Sequence, residues 1–416
     1  MNQQHHDEGQ RLGRALHEQV DSMTQAPLGL DDVRSRARTL QRRRRIAVGV
    51  GMLAAAGILV PTALVVGDGG PGGTDPGYAT GGPSPSVSTG PSPTIGPVPA
   101  PTQDFDVSDL PTGAAPALAW ADGLTLHRAD GSTVTVKGVD RIHQLAAMGD
   151  GWVVATDDGQ GNLEAVRLAA DGTAGDRYPL DGDLATSPEG QVVAWASPTG
   201  EVTVVQSGGT ETLTLPRVPG AGPYSAAAVT SEDCVEGRTT DAGCSVLVTT
   251  TGARPQTWVS TSHGLVDRLG GGIRTLTAYR SFYAGITEYH PDLTTCSQLQ
   301  DEPGVTRWQT CDFRLVGFSP DNEHLVAVGS IGDGFGDGEL AILDATGTPR
   351  VHLLSSRDSF AFSLGQVWED DSHVLTVTYQ DGRWAVVRVG LDGSMEYAVP
   401  PVAGSDADRP FFLQVR

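Results

Sequence analysis

Residues 374–399 read VLTVTYQDGRWAVVRVGLDGSMEYAV. Three runs rich in β-branched and aromatic residues are parted by two turn signals, Asp381-Gly382 and Asp392-Gly393. Runs of that length, bounded by glycine turns, predict three consecutive antiparallel strands. The pattern is not confined to this stretch. Residues 116–136 read PALAWADGLTLHRADGSTVTV, and residues 152–180, 192–215 and 325–354 follow the same order of strand, turn, strand, glycine turn, strand. Such a repeat decides the architecture before any single residue does, because one copy cannot bury its apolar faces alone.

The glycine of the second turn serves as a ruler. It falls at Gly131, Gly172, Gly209, Gly347 and Gly393, with spacings of 41, 37, 138 and 46 residues. The long interval is three periods wide, so two degenerate copies are expected inside it, and Gly264 and Gly304 stand near the required places. Seven copies over residues 105–416 match seven blades of roughly 40 to 45 residues each. The predicted fold is all-β, a seven-bladed β-propeller. A two-sheet sandwich is the competing arrangement and accommodates seven copies of one pattern poorly. Each four-stranded blade needs one more strand ahead of its copy. RLVGFSPD, LATSPEG, YSAAAVTSEDC and SLGQVWED occupy that place for four copies, whereas the first copy lacks a clear one. The run at residues 411–415 is a strand without a blade, and is expected to supply the missing innermost strand and close the ring.

FSPDNEHLVAV at residues 318–328 and TSPEGQVVAW at residues 186–195 resemble the repeat of WD40-like propellers of the Tol-system type. That resemblance covers about three quarters of the chain and implies a protein-binding or sensing platform, not a reaction. The Gly-His and Trp-Asp signatures of eukaryotic WD40 repeats are absent.

Ahead of the repeats the chain changes character twice. Residues 46–66, IAVGVGMLAAAGILVPTALVV, carry no charge and are long enough to cross a bilayer as a helix. Arg42 to Arg45 abut one end, so the positive-inside bias keeps residues 1–45 cytoplasmic and exports everything after the span to the outer side of the plasma membrane. A cleaved signal peptide is the alternative, although the apolar run is longer and begins later than a typical one. The stub itself predicts two short helices, one with Leu12, Leu16, Val20 and Met23 on a single face and one starting at Asp31. Residues 67–104 are dominated by Gly, Pro, Ser and Thr and predict an extended stalk, leaving residues 105–416 as the propeller. Short basic stub, single span, Pro-rich stalk and exported β-domain together resemble actinobacterial envelope proteins, some of them similar to membrane-bound anti-sigma regulators. The stub has no cysteine and so lacks the paired Cys of the zinc-containing members of that group.

Charge and cysteine agree with export. The chain carries a net charge of -22, which disfavours nucleic acid as a partner. Cys234, Cys244, Cys296 and Cys311 all follow the apolar run, and of their three possible connectivities loop closure favours the short pairings Cys234 with Cys244 and Cys296 with Cys311; free buried thiols are the alternative.

The motifs of common enzyme classes do not appear: there is no Gly-x-Ser-x-Gly elbow, phosphate loop, dinucleotide fingerprint or His-Glu-x-x-His. No cofactor or metal is expected. Asp333, Asp337 and Glu339 invite a calcium reading, but their spacing does not fit an EF-hand loop and a hairpin turn explains them. One constellation deserves a structural look. The connections after the innermost strands should all emerge at one mouth of the ring, carrying Asp150, Glu189, Glu232, Asp233, Asp321, Glu369 and Asp370. An acidic rim of this kind would attract a basic peptide or Ca²⁺. The expected function is a membrane-anchored extracytoplasmic binding or sensing scaffold without catalysis, for a protein or envelope component. Two rivals are an anti-sigma-like regulator signalling through residues 1–45, and an exported hydrolase or lyase using the channel.

Overall fold

A computed structural model describes residues 100–415, apart from 150, 210, 235–242, 251–254, 271–272, 274, 280–281, 291–292, 332–335 and 357–359. The expected stub, span and most of the stalk lie outside the described residues. Among those described, every regular element is a strand, and no helix is long and apolar enough to cross a membrane.

Seven sheets form, six of four strands and one of five. In blade 7 the strands run Phe362–Trp368, His373–Gln380, Arg383–Gly390 and Met395–Ala403, each antiparallel to the one before. The other blades repeat this meander, with innermost strands Gln144–Met148, Ala185–Thr186, Tyr224–Val229, Thr275–Tyr279 and Phe313–Phe318. Successive innermost strands are neighbours around a central axis, so the sheets close into a seven-bladed β-propeller. The two middle strands of a blade are covered on both faces by adjoining blades. They therefore read as continuous apolar runs, such as Val192–Ala196, buried at every position. Outer strands face water on one side and turn polar, as in Ala174–Leu180.

The second-turn glycines land where the ruler put them, between the third and fourth strands of every blade. Six hold left-handed backbone, with φ between 79° and 89°; in blade 3 that role falls to Gly208 (φ 73°) in place of Gly209. Two of these turns also press on the adjoining blade. A Cβ on Gly172 would lie 2.5 Å from the Thr135 carbonyl oxygen, and one on Gly347 would lie 3.1 Å from the Trp308 ring. Glycine is thus required twice over, for its backbone angle and for the close approach.

Ring closure follows the expectation, with a shorter strand. Phe411–Leu413 pairs with Trp120–Asp122 as the innermost strand of blade 1. Phe411, Leu413, Leu118 and Trp120 then share one core cluster with Val377 and Trp384 of blade 7. Phe411 is fully buried, its ring edge-on to Trp120 at 5.9 Å.

A second latch was not foreseen. The stalk was expected to end at residue 104, but the propeller begins earlier. The Ala100 amide donates to the Pro349 carbonyl at 2.9 Å. Gln103–Asp104 then adds a parallel fifth strand to Pro349–Leu354 of blade 6. From there the chain crosses blade 7 on its way to blade 1. Phe105 is completely buried between blades 6 and 7, and the Val107 amide donates to Gln380 Oε1 at 2.7 Å. Arg388 then donates to the carbonyls of Ala114 at 3.0 Å and Ala115 at 3.2 Å. Gly and Pro content hid this segment, since its order comes from backbone hydrogen bonds that any sequence can make.

Replacing Phe411 with alanine should cost about 3–5 kcal/mol of unfolding free energy in a urea titration. Leu265→Ala, at a side chain 65% exposed, should stay within about 0.5 kcal/mol of the native chain. Equal effects of the two substitutions would remove the closing strand from its assigned role.

Candidate functional site

Antiparallel strands put the connections between first and second strands, and between third and fourth, at one mouth of the ring. The remaining connections open at the other mouth. The described members of the expected acidic set lie in connections at the first mouth, and they divide into two groups according to what their carboxylates hold.

Glu232 and Glu369 serve the scaffold. Glu232, on blade 4, accepts hydrogen bonds from the Ser187 hydroxyl and from the amides of Glu189 (2.7 Å) and Gln191 (3.2 Å), so it caps the corresponding turn of blade 3. Glu369 is buried and takes Arg388 Nε at 2.5 Å and Nη2 at 2.9 Å, together with the Ala117 amide at 2.5 Å. Glu396 completes this Arg388 cluster. Both carboxylates join pieces of chain that the ring must keep together, and a buried one left without its partner would be costly.

Glu189, Asp321 and Asp370 remain exposed. They stand on blades 3, 6 and 7. Asp321 accepts from the Glu323 amide at 3.0 Å, and Asp370 from the Ser372 amide at 2.7 Å and the His373 ring at 3.0 Å. Asp233 is half-buried, 3.4 Å from Gln206 Nε2. Asp150 lies outside the described residues.

A cavity of about 360 Å³ opens between blades 1 and 2 at the same mouth, lined by Ala117, Leu118, Ala119, Arg128, Trp152 and Gln414 among others. The Arg128 guanidinium lies 4.3 Å from the Trp152 ring centroid and donates to the Ala170 carbonyl at 2.9 Å. Gln414 exchanges hydrogen bonds with Ala119, side chain to amide at 3.0 Å and backbone to backbone at 3.1 Å. Sequence reasoning missed this cavity because its walls come from two blades and from Gln414, hundreds of positions away in the chain.

The other mouth carries two groups in unusual environments. Asp183, on the connection from blade 2 to blade 3, accepts from the Ser225 hydroxyl at 2.6 Å and from Gln144. Burial pushes its carboxyl up to about 7, against hydrogen bonds that favour the anion. Arg409 precedes the closing strand, its Nε donating to the Phe411 carbonyl at 2.7 Å and its guanidinium 4.7 Å from the Phe412 ring centroid. Burial lowers its pKa to about 10. Gly365 on the innermost strand of blade 7 leaves room for it, since a Cβ there would meet Nη2 at 2.9 Å.

The histidines are distributed around the ring. His127 stacks on Trp120 at 3.7 Å, His143 bonds Asp157 at 3.0 Å, and His373 bonds Asp370. His352 lies between Glu339 (2.7 Å) and the Thr102 hydroxyl (3.0 Å), an alignment at the outer edge of blade 6 that fastens the incoming strand. Asp337 pairs with Arg314 at 2.7 Å, while Asp333 lies outside the described residues. Both disulfides form as paired above, Cys234 with Cys244 and Cys296 with Cys311.

No family model matches the chain, and no curated protein matches it. Among solved structures, the β-propeller domain of the Trilobed protease from Pyrococcus furiosus is similar at TM-score 0.41 and 12% identity, over 63% of this chain and 84% of that one. The Dos1 propeller is similar at TM-score 0.45 and 12% identity, over 73% and 88%. A eukaryotic initiation factor gives TM-score 0.36 at 12% identity, over 72% and 90%. Likenesses this distant say nothing of ligand or activity, and the propeller class rests on the sheet topology described above.

Asp183 supplies a test. A carboxyl held above its unfolded pKa favours the folded state at low pH and loses that contribution as pH rises through about 7. Asp183→Asn should therefore gain stability over the native chain, more at about pH 8 than at about pH 5, in paired urea titrations. A gain independent of pH would mean that the carboxyl is not the source.

Proposed function

We propose that this chain is a membrane-anchored binding platform, with residues 46–66 spanning the plasma membrane, residues 1–45 in the cytoplasm and the propeller outside. The observation that carries this reading is the state of the cysteines. All four lie downstream of residue 66 and all are paired, as expected where the compartment is oxidising. A second support is position, since the described fold starts at residue 100, a short Gly- and Pro-rich stretch beyond the apolar run.

The platform role, without catalysis, is supported by how the polar groups are used. The buried ionic clusters described above tie segments of the ring together, and the described histidines are scattered around it. Glu189, Asp321 and Asp370 keep exposed carboxylates on one mouth, in a chain of net charge -22. That surface favours a cationic segment of a partner protein at the cell envelope.

Protease added to intact cells should degrade the propeller while residues 1–45 stay protected, and alkaline carbonate should leave the chain in the membrane fraction. Protection of the propeller until lysis would sink the topology. The triple variant Glu189→Gln, Asp321→Asn, Asp370→Asn should bind a lysine-rich peptide less tightly, with a flatter salt dependence, and keep its thermal midpoint. Unchanged peptide affinity would remove the rim as a binding surface.

A further inference from the structure

The two disulfides differ in their surroundings. Cys234 and Cys244 are both buried. In the other pair Cys296 is buried, whereas Cys311 is exposed. His290 Nε2 lies 3.3 Å from the Cys296 sulfur and 3.8 Å from Glu288 Oε2. One ligand atom each from His290, Cys296 and Cys311 falls within 4.8 Å of the others.

The backbone of blade 5 brings these donors to one place. Cys296 sits on Thr295–Glu302, directly opposite Glu288 on Phe282–Tyr289. A register shift between Ile286 and Glu288 interrupts that ladder at the site, and bulges of this kind re-aim side chains. Cys311 follows Val305–Thr310, whose ladder with Cys296's strand ends at Ser297 opposite Thr310. His290 closes the connection to the next strand, its amide donating to the Thr294 carbonyl at 2.9 Å. Strand pairing places Glu288 and Cys296 opposite each other and ends the third strand beside them, so that His290 and Cys311, just beyond their strands, fall at the same spot.

We propose that the Cys296–Cys311 disulfide is reducible, and that its dithiol form, with His290 and Glu288, binds a thiophilic divalent cation of the Zn²⁺ class. The reductant is an external dithiol. Its thiolate attacks the exposed Cys311 sulfur, the sulfur–sulfur bond breaks, and Cys296 leaves as the thiolate beside His290. The second thiol of the reductant then resolves the mixed disulfide, releasing the Cys311 thiolate and carrying two electrons' worth of oxidation away as its own disulfide. Two thiolates, a neutral imidazole nitrogen and a carboxylate oxygen make a four-donor set suited to tetrahedral Zn²⁺, and the sulfurs select it over Mg²⁺ or Ca²⁺. The metal would replace one cross-link of blade 5 by another, so that blade reports on thiol redox state and metal together.

The test uses the full chain, reduced with a dithiol, freed of it without air, and titrated with Co²⁺ as the probe. Reduced chain should take up one equivalent, with thiolate-to-cobalt absorption in the near ultraviolet that Zn²⁺ abolishes, while oxidised chain shows none. His290→Ala should weaken the Co²⁺ affinity by about tenfold or more, the double variant Cys296→Ser, Cys311→Ser should remove the absorption, and the double variant Cys234→Ala, Cys244→Ala should bind as the native chain does. Circular dichroism of the same samples reports the fold. Three outcomes would overturn the proposal: no absorption in reduced, folded chain, absorption that survives removal of both Cys296 and Cys311, or loss of the β signal on reduction with no metal bound.

Discussion

A ring of sheets has one joint that no hairpin can make, the one between its first and last blades, and everything else in this protein depends on that joint being sealed. The seal is double. Phe411–Leu413 enters blade 1 from the inside, placing Phe411 and Leu413 in the cluster that holds Trp384 of blade 7. Residues 100–117 cross blades 6 and 7 before reaching blade 1, held by strand pairing, by the buried Phe105 and by Arg388. An inner strand alone would leave the seam covered on one side only. With both, the innermost strand of blade 1 is paired and the first blade is fixed from two sides, by the closing strand and by the strap that precedes the repeats.

The same demand explains where the charges went. In a chain so acidic, carboxylates could have been left to water. Instead Glu369 accepts Arg388 and the Ala117 amide, Glu232 caps the turn of its neighbour, and Asp337 pairs with Arg314. The Glu369–Arg388 and Asp337–Arg314 pairs are made where water is scarce, so each contributes more than a surface pair and costs more when broken. Asp183 shows the limit of this arrangement: enclosed without a cation, its carboxyl is driven towards the neutral form. The carboxylates that remain for a ligand are exposed ones, and the bonds that Asp321 and Asp370 accept come from residues of their own turns.

Much of the fold was legible because a propeller writes its period into the chain. The third-to-fourth-strand glycines are needed at every blade for the same backbone angle, so they survive even where the rest of a copy has drifted, as at Gly264 and Gly304. Gly209 misled by one position because two adjacent glycines both satisfy the pattern and only Gly208 turns left-handed. The acidic mouth was legible as a set of positions and not as a set of roles. Glu369 and Asp370 are neighbours in sequence, yet one is buried against Arg388 and the other faces water. Nothing local separates them, since the difference lies in a guanidinium from the third strand of the blade.

What the sequence determined by itself is everything set by local periodicity and turn chemistry: the seven repeats, the innermost position of the final strand, and the pairing of cysteines close enough for their loops to close cheaply. What only the tertiary structure decided is what depends on distant segments meeting. The cavity under Arg128 and Trp152, the strap from Ala100 to Ala117 and the grouping of Glu288, His290, Cys296 and Cys311 belong here. The physical reason is one of range. A turn or a strand is fixed by forces between residues a few positions apart, whereas a site is fixed by the closure of the ring, which no stretch of the chain encodes alone.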